Sequence, residues 1–229
     1  MYSGFDQRSN PVSETSPSTS KAWQILGLQL MKRVVDVFVS VSGLLFLAPF
    51  FGLTGLLIRF DSPGDIFYRQ PRLGRNGKVF DLIKFRTMHQ NANRILEEGL
   101  HLNPKLRDEW DHYQKLKGDP RITRVGRFLR RFSLDELPQL WNVLRGEMSL
   151  VGPRPITIDQ RELYGKSFNE YTQVLPGITG LWQVSGRNDT TFARRAELDS
   201  EYIQHWSIRL DIHILFKTIE IVLWQQGAY

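Results

Sequence analysis

The chain has no cysteine among its 229 residues, which excludes disulfides, thiolate metal sites and thiol nucleophiles. Histidine is scarce too: His89, His101, His112, His205 and His213 never fall at HExxH-type spacing, so a histidine-held metal is not expected. No GxSxG nucleophile turn is present. Gly165-Lys166-Ser167 imitates the end of a phosphate loop, but Gln160 stands where that motif needs glycine. Acids are fewer than bases, giving a net charge of +6 and a pI near 9.6, so anionic partners are expected. Nucleic acid is not expected among them, because no recognisable nucleic-acid module accompanies the basic stretch.

Long apolar runs are missing with one exception. Val37–Ile58 is 22 residues without a charge, and a straight helix of that length would reach roughly 33 Å, enough for a hydrocarbon core of about 30 Å. Pro49 lies near its middle, with Gly43, Gly52 and Gly55 around it, and an internal proline removes a backbone hydrogen bond. Lys32 and Arg33 precede the run and Arg59 follows it, a pattern suited to a hairpin that enters and leaves on the cytoplasmic side. From these residues alone a kinked spanning helix and a re-entrant one both stay open. Asp36, at the membrane entrance, is expected to pair with a neighbouring arginine or a backbone group. Ahead of the run, a Ser/Thr/Pro-rich beginning has too few apolar residues to offset the entropy of ordering. The chain is therefore divided into a disordered tail (1–30), a membrane element (31–59) and a portion outside the lipid that is large enough for a catalytic domain (60–229).

Beyond Arg59, two short apolar-aromatic runs, Ile66–Arg69 and Val79–Phe85, flank Gly74 and Asn76-Gly77 and read as a hairpin. Residues 90–118 read as surface helix interrupted at Pro104. Residues 115–131 carry seven cations against the single acid Asp119. Arg124, Arg127, Arg130 and Arg131 share one helix face, which favours anion binding over a merely solvated surface. Leu134, Leu137, Leu140, Trp141 and Leu144 predict an amphipathic helix from Ser133 to about Arg145. "SLVGPRP" and "VLPGITGLWQVSGRND" read as loops, residues 191–206 as helix. The closing "SIRLDIHILFKTIEIVLW" has one apolar side, to pack on the domain or lie at the membrane interface.

Asp135 and Glu136 are the candidate chemistry. Ser133 and Glu136 match a helix capping box, and Asp135 would suit the positive end of a helix, so a purely structural role is available. Yet two acids beside an arginine stripe could also bind Mg²⁺ and a diphosphate, and a carboxylate can attack phosphorus to give an acyl phosphate.

Four ordered blocks, "KRVVDV…P", "QPRLGRNGKVFDLIKFRTM", "DPRITRVGRFLRRFSLDELPQLWNVLRGEMSLVGPRP" and "PGITGLWQVSGRND", resemble the signatures of the bacterial monotopic phosphoglycosyl transferases, from about Lys32 to the C-terminus. The short chain is most similar to the exopolysaccharide-priming members. The resemblance implies an α+β, mostly helical, monotopic membrane protein. It would have a proline-broken re-entrant helix at Pro49 and a small catalytic domain at the cytoplasmic face of the bacterial inner membrane. It implies transfer of a sugar-1-phosphate (galactose or glucose) from a UDP-sugar to undecaprenyl phosphate with release of UMP, as a first step of exopolysaccharide assembly. Mg²⁺ is the implied cofactor. Asp135 matches the family nucleophile, Glu136 its partner in holding the metal, and Arg130 a phosphate-binding arginine. Lys84, Arg86, Arg154, Gln183 and Arg187 fall in substrate-binding blocks. Membrane lipids are expected partners, and homo-oligomerisation is left open. Ala48 stands where some members have serine before the proline. The rival reading is a non-enzymatic membrane adaptor that binds anionic lipid and uses the acids only as a cap.

Overall fold

The computed structural model describes residues 19–113, 116, 118–185 and 191–224. The chain is α+β and mostly helical, with two small two-stranded sheets.

The first helix, α1, runs Thr19–Phe46, so residues 19–30 are helical where the sequence suggested a tail; residues 1–18 lie outside the described residues. Helix α2 spans Ala48–Asp61, with Pro49 in its first turn, where no N–H is needed. The chain stays hydrogen-bonded through the junction, Leu47 N to Gly43 O at 2.9 Å and Phe51 N to Leu47 O at 2.8 Å. The two helices nevertheless diverge by 61°. Among the described residues no single helix is long and apolar enough to cross a membrane, whereas the bent pair is by length and composition. Phe38, Leu45, Phe46, Leu53, Leu56 and Phe60 are exposed along it, Phe46 and Phe60 at 85 %. So large an apolar surface needs a covering. Gly43 and Gly55, which read as helix weakeners, are contact points: an added Cβ would lie 3.2 Å from Leu140 and 3.2 Å from Ile66 respectively.

The two helices are also fastened to the rest of the chain by charge. Lys32 Nζ donates to Asp211 Oδ2 at 2.5 Å and to Val151 O at 3.0 Å. Arg33 donates to Val143 O and Leu144 O, the end carbonyls of a short helix. Asp36 is buried and accepts from Leu150 N at 3.0 Å, the backbone partner expected of it.

Strands β1 (Phe67–Leu73) and β2 (Val79–Phe85) form the expected hairpin, in register from Phe67↔Phe85 to Leu73↔Val79. Asn76 and Gly77 both take positive φ in its turn. Helices α3 (Ala92–Leu102) and α4 (Pro104–Tyr113) break at Pro104 as expected. Helix α5 is Arg124–Arg131 and α6 is Gln139–Leu144. Strands β3 (Ser149–Val151) and β4 (Gly177–Thr179) pair in parallel inside the two segments that read as loops. Three-residue strands between glycines and prolines leave no alternation to detect. The short helices α7 (Arg161–Tyr164), α8 (Ser167–Tyr171) and α9 (Leu181–Val184) follow, then α10 (Phe192–Gln204) and α11 (Ile208–Leu223). Ile214 and Ile221 of α11 enter the main core with Leu140, Leu150 and Tyr202, and Leu44 of α1 packs against it. The opposite side of α11 exposes Ile212, Phe216, Ile219 and Leu223.

Candidate active site

The acids sit between α5 and α6, and the local chain is not the capped helix that the S-x-x-E pattern suggests. Ser133 adopts left-handed φ 54°, ψ 22° and makes no side-chain cap bond. Leu134–Glu136 is a 3₁₀ turn, and the helix proper starts at Gln139. A left-handed serine is a strained conformation. Its neighbours hold it: Phe132 ends α5, while Leu134 packs with Ile58, Phe85 and Leu129. The reversal presents Asp135 and Glu136 to a cleft of about 2140 Å³ that also receives Lys84, Arg130, Arg154 and Gln183.

Asp135 is half-buried, and that burial, with the adjacent Glu136 charge, raises its carboxyl above the ordinary range; Lys84 and Arg130 pull it partly back. Glu136 Oε1 accepts from Lys84 Nζ at 2.6 Å and lies 3.7 Å from an Arg154 nitrogen. Arg130 Nε donates to Thr87 Oγ1 at 2.9 Å, and burial depresses its guanidinium against the favourable influence of Asp135 and Asp119. Thr87 was not singled out in the sequence. Its carbonyl accepts from Thr123 N, and Gly126 lies so close that an added Cβ would meet Thr87 O at 2.1 Å. The start of α5 is thus laid directly on Thr87, and α2 joins it through Asp61 Oδ2, which accepts from Val125 N at 2.8 Å. Of the arginine stripe, Arg130 is drawn inward while Arg124, Arg127 and Arg131 stay exposed.

Arg86 also borders the cleft, but its two terminal nitrogens donate to Ser62 O at 2.6 Å and Pro63 O at 2.7 Å. That arrangement makes it a strut under the end of α2, and the substrate contact expected of it is not what its bonds provide. Gln183 is buried, with Nε2 donating to Ile178 O at 2.9 Å. Arg154 stacks over Trp182, 5.7 Å from the ring centre. Arg187 lies outside the described residues. No cluster of three or more His, Asp or Glu that could hold a metal ion exists among the described residues. Asp135 and Glu136 do suit Mg²⁺, which is commonly held by one or two carboxylates and completed by substrate phosphates and water.

With this geometry in view, the comparisons with known proteins are specific. Residues 27–225 match the family model described as bacterial sugar transferase. The chain belongs to that family, and it is a transferase. It is 48% identical over 200 residues to the exopolysaccharide production protein ExoY of Sinorhizobium fredii, covering 87% of this chain and 88% of that one. It is 47% identical over 201 residues to the undecaprenyl-phosphate galactose phosphotransferase of Salmonella typhimurium, covering 88% of this chain and 42% of the relative. The undecaprenyl-phosphate glucose phosphotransferase of Komagataeibacter xylinus is 43% identical over 213 residues, covering 87% of this chain and 37% of its own. The chain thus spans less than half of these longer relatives and most of the shorter one.

Proposed function

We propose that the protein transfers galactose-1-phosphate or glucose-1-phosphate from the UDP-sugar to undecaprenyl phosphate and releases UMP, the first membrane step of exopolysaccharide assembly. The observation that carries this is the placement of Asp135: a half-buried carboxylate between Arg130 and a Glu136 that is paired with Lys84. Sugars and carrier are those in the names of the relatives.

In the first step an Asp135 carboxylate oxygen attacks the β-phosphorus. The bond from that phosphorus to the bridging oxygen breaks, and its electron pair leaves on UMP. A phosphosugar–aspartate remains. In the second step a phosphate oxygen of the lipid attacks the same phosphorus, and the Asp135 oxygen leaves with its electron pair, restoring the carboxylate. Phosphoryl transfer asks mainly for positioning and charge neutralisation, which Arg130, Lys84 and Arg154 supply. Mg²⁺ held by Asp135 and Glu136 would add neutralisation of the diphosphate. The bent helices α1 and α2 are read as a re-entrant element in the cytoplasmic leaflet, which keeps Asp135 at headgroup depth, within reach of a lipid phosphate.

The test is UMP release by the full chain in nanodiscs, with Mg²⁺, undecaprenyl phosphate and a panel of UDP-sugars. Wild-type release with one sugar and its loss in Asp135→Asn are expected. No release with any sugar would overturn the reading in favour of an adaptor, and an undiminished rate in Asp135→Asn would overturn Asp135 as the nucleophile.

A further inference from the structure

Arg72, Arg154 and Arg195 come together on the side of Glu136 away from Arg130, and sequence spacing does not announce this. Arg154 and Arg195 both face Trp182, at 5.7 and 4.7 Å from the ring centre, and Arg195 also lies 5.2 Å from the Phe192 ring. Arg195 is buried, only 8% exposed, and one terminal nitrogen reaches Arg154 O at 3.4 Å. Arg72 donates to Gln70 Oε1 at 2.7 Å and to Pro155 O at 3.4 Å. The Nε–H groups of Arg72 and Arg195 are buried without a hydrogen-bond partner, and among the described residues neither has a carboxylate within salt-bridge distance. The nearest acids do not pair with them directly. Asp199 accepts from Tyr164 OH through Oδ2 at 2.6 Å and meets the guanidiniums of Arg195 and Arg154 only through its field, its Oδ1 lacking a hydrogen-bond partner among the described residues. Glu136 accepts from Lys84. Asp159 faces Arg72 only from the exposed rim.

Like charges gathered in a shielded place repel, and burial together with Arg154 and Arg195 pulls the Arg72 guanidinium down to about 10. Buried donors left unpaired destabilise a fold. A fold carries such a cluster when a ligand completes it, and several converging guanidiniums select a phosphate group. Arg72, Lys84, Glu136 and Arg154 line one small cavity, and the last three also line the main cleft, so Arg72 and Arg154 open toward the acids, with Arg195 set behind Arg154.

Its position identifies which phosphate. In the hairpin, Phe67 pairs with Phe85, which contacts Phe51 of α2 at 5.2 Å between ring centres, whereas Arg72 pairs with Phe80 at the far end. Five residues of strand separate the ends by about 17 Å. Arg130 and Thr87 therefore lie toward the membrane helices, Asp135 and Glu136 between, and the Arg72 cluster beyond them.

Resting on the function proposed above, we propose that Arg72, Arg154 and Arg195 form the subsite for the nucleotide-side phosphate, the group that leaves in UMP, while the lipid phosphate uses the Arg130 end. When the bridging bond breaks, the electron pair settles on that phosphate, and this cluster is where the added charge is met.

The test uses the full chain in nanodiscs. UMP and uridine binding are compared by calorimetry in wild type, Arg72→Lys and Arg195→Lys, and the KM for undecaprenyl phosphate is measured in each. Wild type is expected to prefer UMP to uridine by at least about 10-fold, a difference of about 1.4 kcal/mol. Both variants should lose most of that preference, with uridine binding and the acceptor KM within about twofold of wild type. An unchanged preference in both variants overturns the proposal, and so does a raised acceptor KM with UMP binding intact. If the variants fail to fold, wild type alone decides: UMP must raise the melting temperature more than uridine at the same concentration does, and equal shifts at equal concentration overturn the subsite. Wild-type turnover without these effects rejects only the subsite; absence of turnover rejects the function itself.

Discussion

Lys84 Nζ lies 2.6 Å from Glu136 Oε1, an ion pair between residues 52 positions apart that joins the end of β2 to the acid next to Asp135. Lys84 also lowers the carboxyl of Asp135, against burial and the Glu136 charge. Removing the cation in Lys84→Met is therefore expected to move the acid limb of the pH profile for UMP release to higher pH. An acid limb that stays in place would disconnect Lys84 from the nucleophile.

The same balance has a stability consequence for Asp135 itself. Its folded carboxyl is raised above its unfolded one, so the stabilising preference holds at low pH and is lost as pH rises through the folded value. At pH 7 the charge is a burden to the fold. Asp135→Asn is expected to match or exceed the wild-type melting temperature at pH 7 while abolishing turnover. A clearly lower melting temperature there would contradict it.

Thr87 positions Arg130 through the 2.9 Å bond to its Nε. Thr87→Val keeps the shape and removes the acceptor, and a lost hydrogen bond to a charged group corresponds to about 1.5–3 kcal/mol. A fall in kcat/KM of about 10-fold or more is expected, with Thr87→Ser restoring most of it. Equal losses in Val and Ser variants would point to packing instead.

Asp199 is buried behind the arginine cluster, and burial pushes its carboxyl up to about 6 despite Tyr164 and Arg195. Since 3.8 is its ordinary value, its contribution is present below about pH 4 and lost as pH rises through about 6, a swing on the order of 3 kcal/mol. Chemical denaturation of wild type and Asp199→Asn between pH 4 and 7 checks this. Wild type should lose ground relative to the variant across that window, and parallel curves would refute it.

A re-entrant α1–α2 pair leaves both flanks on one side of the membrane. Because the chain has no cysteine, a single Ser20→Cys can be labelled by an impermeant maleimide. Labelling is expected only after the cytoplasmic side is opened. Labelling of intact cells would establish a spanning arrangement.

Much of this architecture was legible in the sequence where local chemistry decides it. Asn76-Gly77 set the hairpin turn, Pro49 the helix break and Pro104 the division of the surface helix. Ser133 shows where locality fails. Its pattern matches a cap, but the packing of Leu134 and the end of α5 impose a left-handed reversal. Ser133→Ala, which would cost about 1 kcal/mol at a true cap, is accordingly expected to change unfolding free energy by less than about 0.5 kcal/mol; a full cap-sized loss would restore the capping reading. Asp135, Glu136, Lys84, Arg130 and Arg154 were found from sequence blocks, and the structure brings them to one cleft. Thr87, Arg72 and Arg195 escaped because their meaning lies in contacts across 43 residues for Thr87–Arg130 and 41 for Arg154–Arg195.

Lys32, Arg33 and Asp36 point into the protein, to Asp211, the end of α6 and Leu150. Cations at a membrane entrance usually answer to lipid headgroups; here two of them answer to the domain. In the re-entrant arrangement proposed above, the height of Asp135 over the acyl chains is a built-in gauge, set by the bonds that tie α1 to β3 and α6. Turnover should then respond to leaflet thickness, because a thicker leaflet lifts the acceptor phosphate past Asp135.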